Sequence, residues 1–235
     1  MARPRRQDAQ RAHLMAAAQQ AIKNRGLANV RVRDIADAAN TSPGTVTYYW
    51  RDVRDLFQDV YEHAIERFYQ RRQQATNSLR EPVGRLLAMI GSGLPTDHDD
   101  GLCCLLYEFS PQARLRAGDA HMRRALFDQQ VDLYEQILND GVACGVFTIR
   151  GPIRHVACNL VALEDAYGYH IVTSTSIDRA NALTLIVNYA ETATGTDLTA
   201  VQAALPSDDR PPPSPQHHDA DLSHVNKTKS VPRPA

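Results

Sequence analysis

Residues 32–50, VRDIADAANTSPGTVTYYW, decide how the rest of the chain is read. Val32, Ile35, Ala36 and Ala39 recur at helical spacing, which places them on one face of a short helix. Asn40 tolerates the left-handed backbone that ends a helix. Ser42 then offers a side-chain oxygen as N-cap, and Pro43 falls at the first helical position, where its missing N–H costs nothing. Val46 and Trp50, one turn apart, pack inward on the first helix and leave Gly44, Thr45, Thr47 and Tyr48 facing out. Two helices joined this tightly, the second presenting small and hydroxyl side chains, suit a DNA major groove.

Helix-turn-helix shapes also occur in proteins that never touch DNA, so the charge around the motif has to arbitrate. From Met1 to Arg54 there are ten basic residues against four acidic, a net of +6, while the whole chain is −1 and the remainder therefore −7. A basic first quarter on an acidic protein is the electrostatic footprint of a phosphate-binding module. The sequence points to double-stranded DNA.

Upstream, Arg3, Arg5 and Arg6 form a short basic arm, expected to be mobile and able to enter a minor groove. A helix is expected from about Gln7 to Arg25, with Leu14, Ala18, Ala21 and Ile22 inward and Gly26 as its stop. Downstream, Asp52 is a good N-cap for a long helix reaching about Thr76, and Asp55 adds a favourable charge near its start. Leu56, Phe57, Val60, Ala64 and Phe68 supply its apolar stripe.

Ile35-Ala36, Ser42, Gly44-Thr45, Trp50 and Arg54-Asp55-Leu56 together resemble the DNA-binding domain of the TetR family of repressors over about the first 60 residues. Three positions depart from that family's pattern: Asn40 stands where glycine is favoured, Trp50 replaces Phe, and Thr47 occupies a site usually held by a phosphate-contacting Tyr. That contact is then expected to pass to Tyr48 or Tyr49. The segments LYEF (106–109), LYEQILNDGVACGVF (133–147) and VALEDAYGYHIV (161–172) are more loosely similar to the C-terminal domain of BetI-like members.

Beyond Pro82 the pattern is helical throughout, with elements expected near 82–94, 101–113, 119–145, 153–175 and 177–194. The expected fold is all-α, about nine helices: a helix-turn-helix domain over 1–54, a helical regulatory and dimerisation domain over 55–195, and a disordered Pro-rich tail over 196–235. No apolar run approaches the roughly 20 residues of a membrane span, and MARPRRQDAQR has no apolar segment behind it to make a secretory signal. Cys103, Cys104, Cys144 and Cys158 show no Cys-x-x-Cys spacing, which suits free thiols in a cytoplasmic protein. The Asp97-His98-Asp99-Asp100 run reads as a solvated loop, and neither metal nor cofactor is expected.

The resemblance implies a ligand-responsive repressor that binds a palindromic operator as a homodimer and is released by a small effector. Candidate DNA-binding residues are Arg3, Arg5, Arg6, Arg33, Ser42, Gly44, Thr45, Thr47, Tyr48, Tyr49 and Arg54. A dimer interface is expected on the last two helices through Val156, Leu160, Leu163, Tyr167, Ile171, Ala182, Leu185, Ile186 and Tyr189. Candidate effector contacts are Phe68, Leu86, Met89, Ile90, Cys103, Tyr107, Glu108, Phe127, Asp165 and Tyr169. Glu108, Glu164 and Asp165 sit in apolar stretches, where a buried acid needs a partner. Two alternatives stay open: pairing with Arg114, Arg154 or His155, or reception of a cationic or amine-bearing effector packed by Tyr rings. An enzyme built on His155, Asp165, His170 and the cysteines is the competing class, but no nucleophile or phosphate-loop motif accompanies them. A DNA-binding protein without a ligand is the third, and the long helical remainder argues against it.

Overall fold

The computed structural model describes the backbone of residues 2–109 and 117–200, with side chains over 7–109 and 120–200. Within these residues the chain is all-α: α1 Ala2–Arg25, α2 Val32–Ala38, α3 Pro43–Tyr49, α4 Val53–Asn77, α5 Pro82–Gly93, α6 Gly101–Phe109, α7 Ala117–Ala143, α8 Ile153–Val172 and α9 Arg179–Thr194. The expected tail over 201–235, and Pro111 and Arg114, lie outside the described residues.

Local chemistry explains where the helices stop. Asn40 takes a positive φ of 50° after α2. Its N–H then reaches the Asp37 carbonyl, and that of Thr41 the Ala36 carbonyl, a paired closure that satisfies two orphan acceptors at the helix end. Ser174 repeats this after α8 with φ 51°, an ending that the sequence pattern gives no sign of. At the start of α3 the Ser42 hydroxyl accepts the Thr45 N–H, with Pro43 in the first turn as expected. Asp52 caps α4 through the Arg54 N–H.

Two cores follow, and they do not divide at residue 54. In the first, Leu14, Ala18 and Ile22 of α1, Ile35 and Ala36 of α2, and Val46 and Trp50 meet Leu56, Val60, Tyr61, Ala64 and Phe68 of α4. Leu105 and Phe109 of α6 join it, with the Phe109 ring stacked on Tyr61 at 4.6 Å. The second core gathers α5, α7, α8 and α9. Thus α6, from the later part of the chain, packs with the helix-turn-helix domain.

Three expectations on extent change. Helix α1 begins at Ala2, so Arg3, Arg5 and Arg6 stand on its first turns rather than on an extended arm; Pro4 is no obstacle there because first-turn N–H groups have no partner. The fold also continues past 195. Leu198 is fully buried and its N–H reaches Glu191, while the Thr196 hydroxyl donates to the Val146 carbonyl. The buried stripe of α4 runs two turns further too, through Arg72 and Thr76.

Candidate functional site

The outward face of α3 comes from its caps. The Ser42 and Thr41 hydroxyls both lie 3.0 Å from that of Thr45, and the Thr47 hydroxyl turns back to the Pro43 and Gly44 carbonyls. That leaves the Thr47 methyl outward. Tyr48 is 72% exposed, and Tyr49 meets it edge to face at 5.2 Å. Behind them Trp50 does more than fill space: its indole N–H donates to Asp59 at 2.6 Å, and the Arg11 guanidinium lies 4.6 Å above its ring while also pairing with Asp59. A Phe at this position could pack but could not make that bond to α4.

Of the cations around this face, Arg33 and Arg51 are exposed and form no ion pair with a described residue, so Arg51 joins the candidates, a residue that sequence reasoning passed over. Arg54 behaves differently. Its Nε and Nη2 bond to Asp52, which raises its pKa and leaves Nη1 outward. The side chains of Arg3, Arg5 and Arg6 lie outside the described residues.

A second feature lies beyond the helix-turn-helix domain, the head of the molecule, where a cavity of about 40 Å³ sits between α4, α5, α6, α7 and α8. Its wall brings together Phe68, Cys103, Tyr107, Phe127 and Asp165 from the expected set, and adds Arg72, Gly93, Leu106, Arg123, Leu126, Gln130, Val161 and Glu164. The other expected contacts are not on this wall. Leu86, Met89 and Ile90 turn into the second core, so α5 presents the bare backbone of Gly93 instead. Glu108 points to the far side of α6, where it accepts the Leu27 N–H at 3.0 Å and lies over the end of α1. Tyr169 is exposed on the surface, its ring edge-on to Tyr107 at 5.9 Å.

The acids in this region pair, though not with the expected partners. Glu164, 3% exposed, receives both Nη atoms of Arg72 at 2.6 and 2.9 Å and the Tyr134 hydroxyl. Arg72, 1% exposed, also reaches Met89 through its sulfur and carbonyl, with the Tyr134 ring 5.1 Å from the guanidinium. Asp165 faces Arg123 at 3.4 Å, and its backbone carbonyl accepts the Tyr107 hydroxyl. Burial raises the Asp165 carboxyl, with Arg123 opposing. Arg154 instead serves the exposed acids of α7, and His155 stays exposed on the surface.

Gln130 contrasts with all of these. It is 3% exposed, yet neither its Nε2 nor its Oε1 has a hydrogen-bond partner among the described residues. Such a buried, unpaired amide costs about 1–3 kcal/mol. The sequence carried a signal for it: Gln130 lies on the same helical face as Phe127, Val131 and Tyr134, a polar residue in an apolar stripe.

Of the residues named for an enzyme, Cys103 and Asp165 share the cavity wall, while His155 and His170 are not on it. Burial pushes the Cys103 thiol up to about 12, far from a reactive thiolate, and His170 is occupied with Thr175 at the end of α8. In the 97–100 run, Asp100 caps α6 through the Leu102 and Cys103 N–H groups and pairs with Arg71, while Asp99 lies 3.5 Å from Lys23. Among the described residues no helix is long and apolar enough to cross a membrane.

Comparison with known proteins places this geometry. The fold is similar to that of a TetR transcription regulator from Haloarcula marismortui, with 24% identity and a TM-score of 0.70 over 80% of this chain and 98% of that one. A transcriptional regulator from Saccharomonospora viridis in complex with choline gives 19% identity and a TM-score of 0.73, covering 78% and 96%. FadR from Bacillus subtilis in complex with stearoyl-CoA gives 15% and 0.63, covering 78% and 97%. No curated protein sequence matches the chain. Residues 14–60, which hold the helix-turn-helix and the start of α4, match the model of the bacterial regulatory proteins of the tetR family. Over that domain the chain is similar to the bacterial regulatory proteins of the tetR family, and the helix-turn-helix lies within the matched residues.

Proposed function

We propose that this regulator is a ligand-released repressor that binds a near-palindromic operator as a homodimer. One observation carries the ligand control: α6 belongs to both parts of the molecule. Its Cys103, Leu106 and Tyr107 line the cavity, while its Leu105, Phe109 and Glu108 hold the core and the end of α1. An occupant that shifts α6 has to shift the head. A ligand that binds the displaced arrangement more tightly then lowers operator affinity by that difference.

In the bound state the Thr47 methyl meets a thymine methyl, and Thr45 and Tyr48 read base edges. Arg33, Arg51, the outward Nη1 of Arg54 and the first turns of α1 hold phosphates. The dimer uses the outward faces of α8 and α9. Its members differ from the expected set because Leu160, Ala182 and Ile186 are fully buried within one chain, and Val156 and Ile171 nearly so. Leu185 is exposed and Leu163, Tyr167 and Tyr189 are half-buried, with Asn159, Ala162, Ala166, Asn181, Thr184, Asn188 and Thr192 exposed around them, none of them charged. Such a face suits a copy of itself.

The comparison structures hold choline in one case and stearoyl-CoA in another, so the fold takes ligands of opposite character. Here two of the three acids that suggested a cationic effector, Glu164 and Asp165, are matched by Arg72 and Arg123, and Glu108 accepts the Leu27 N–H. Selection of DNA from a random duplex library tests the reading. It should enrich a two-fold symmetric motif with half-sites about 34–36 Å apart, and salt should weaken binding steeply. Enrichment of an asymmetric motif, or none at low salt, overturns it.

A further inference from the structure

We infer that Gln130 is the specificity-determining residue of the cavity and that it selects an uncharged ligand carrying an amide edge, a lactam or a primary carboxamide. This rests on the ligand-controlled reading above and names the chemistry of that same cavity.

Most polar groups of the wall are already paired. Glu164 is occupied by Arg72 and Tyr134, and the two charges cancel. Asp165 and Arg123 oppose each other at 3.4 Å, so the wall presents no unmatched charge from either pair. Asp165 and Arg123 are half exposed, but an ion that goes deeper, beside Gln130, loses its hydration and meets no net counter-charge. The remainder of the wall, Phe68, Leu106, Leu126, Phe127 and Val161, is apolar.

Gln130 is what remains open. Its side chain offers two N–H donors and a carbonyl acceptor side by side in one plane, and neither Nε2 nor Oε1 has a partner among the described residues. An ammonium can satisfy only the oxygen, and a carboxylate only the nitrogen. A cis-amide edge satisfies both at once, its N–H donating to Oε1 and its carbonyl accepting from Nε2. Buried amides without partners are rare enough to call for such an explanation. The cavity, about 40 Å³, is well below the roughly 150 Å³ of an engineered cavity that admits benzene. The part of the ligand that enters is therefore small.

The test uses the full-length protein and three probes of matched size: propionamide, propionate and propylammonium, with 2-pyrrolidone as the rigid amide. Binding is followed by the side-chain amide resonances of Gln130 in a nitrogen-15 correlation spectrum. Both amides should shift these resonances saturably and bind at least tenfold more tightly than either ion. Gln130→Leu should abolish that preference and raise the unliganded Tm by about 2–4 °C, since it removes an unpaired buried amide; Gln130→Met provides a second variant if leucine packs poorly. Tighter binding of either ion overturns the amide inference while leaving a ligand cavity in place. Binding of no probe overturns both. Amide affinity unchanged in the variants, or a lowered Tm in both, also overturns the assignment, because the side chain would then be structural.

Discussion

Arg72 with Glu164, and Gln130, are buried to the same degree and line the same cavity, yet one group is closed and the other open. The first uses nearly every donor and acceptor on Tyr134, Met89 and each other. The second uses none among the described residues. The difference separates a polar group that fixes the arrangement of α4, α7 and α8 from one that waits for a partner from outside. It also yields a ranking, because removing a partner from a closed buried group leaves a desolvated charge, and that penalty shrinks as water gains access.

The largest effect should come from Glu164→Leu, which strands the Arg72 guanidinium. A loss of about 3–5 kcal/mol is expected in urea unfolding. Adding Arg72→Met to it should recover most of that, since both charges are then gone. A double variant as unstable as the single one would show that the two charges do not act as a unit. Gly93→Ala attacks the same pair sterically. A Cβ there would lie 2.1 Å from the Glu164 Oε1, and that oxygen is pinned. The alanine gains in helix propensity but should still lose about 1–3 kcal/mol net. No loss would mean that the carboxylate can move, and that the closed cluster is looser than its contacts imply.

Asp100 is the intermediate case, a capping carboxylate paired with a half-buried Arg71 at 2.9 Å. Burial pushes its pKa up, but Arg71 and the backbone N–H groups of Cys103 and Thr96 outweigh this and hold the carboxyl below its ordinary value. A depressed folded value contributes stability above the unfolded pKa of about 3.9, and that contribution disappears as pH falls through the folded value. Asp100→Asn should therefore lose about 1–3 kcal/mol at neutral pH. The gap to the unaltered protein should close as the pH drops below about 4. A gap that persists in acid would assign the effect to lost packing instead.

The same contrast explains how much could be read from the chain alone. The head was legible because its rules are local: Asn40 ends a helix, Ser42 and Pro43 start the next, and Trp50 lies one turn from Val46. Each fact spans a few residues. The cavity obeys no such rule, since Arg72 and Glu164 meet across 92 positions. Nothing near Glu164 distinguishes that partner from Arg154, ten residues away on the same helix. The α8–α9 stripes were legible as apolar, but periodicity cannot tell a face that meets its own chain from one that meets a copy. Leu160 and Leu185 share a residue type and differ only in burial, 0% and 43% exposed.

The smallest effect belongs to the site that looks richest on paper. Arg154 lies 2.8 Å from Asp132, 2.7 Å from Glu135 and 3.9 Å from Asp128. Hydrogen bonds to Asp132 and Glu135 raise its pKa. All of this happens in water, where each charge is already solvated and salt screens the attraction. Arg154→Ala should leave the urea midpoint within error, and added salt should not change that result. A destabilisation approaching that of Glu164→Leu would show that the number of partners, rather than their access to water, sets the ranking, and the distinction between the closed cluster and Gln130 would lose its physical basis.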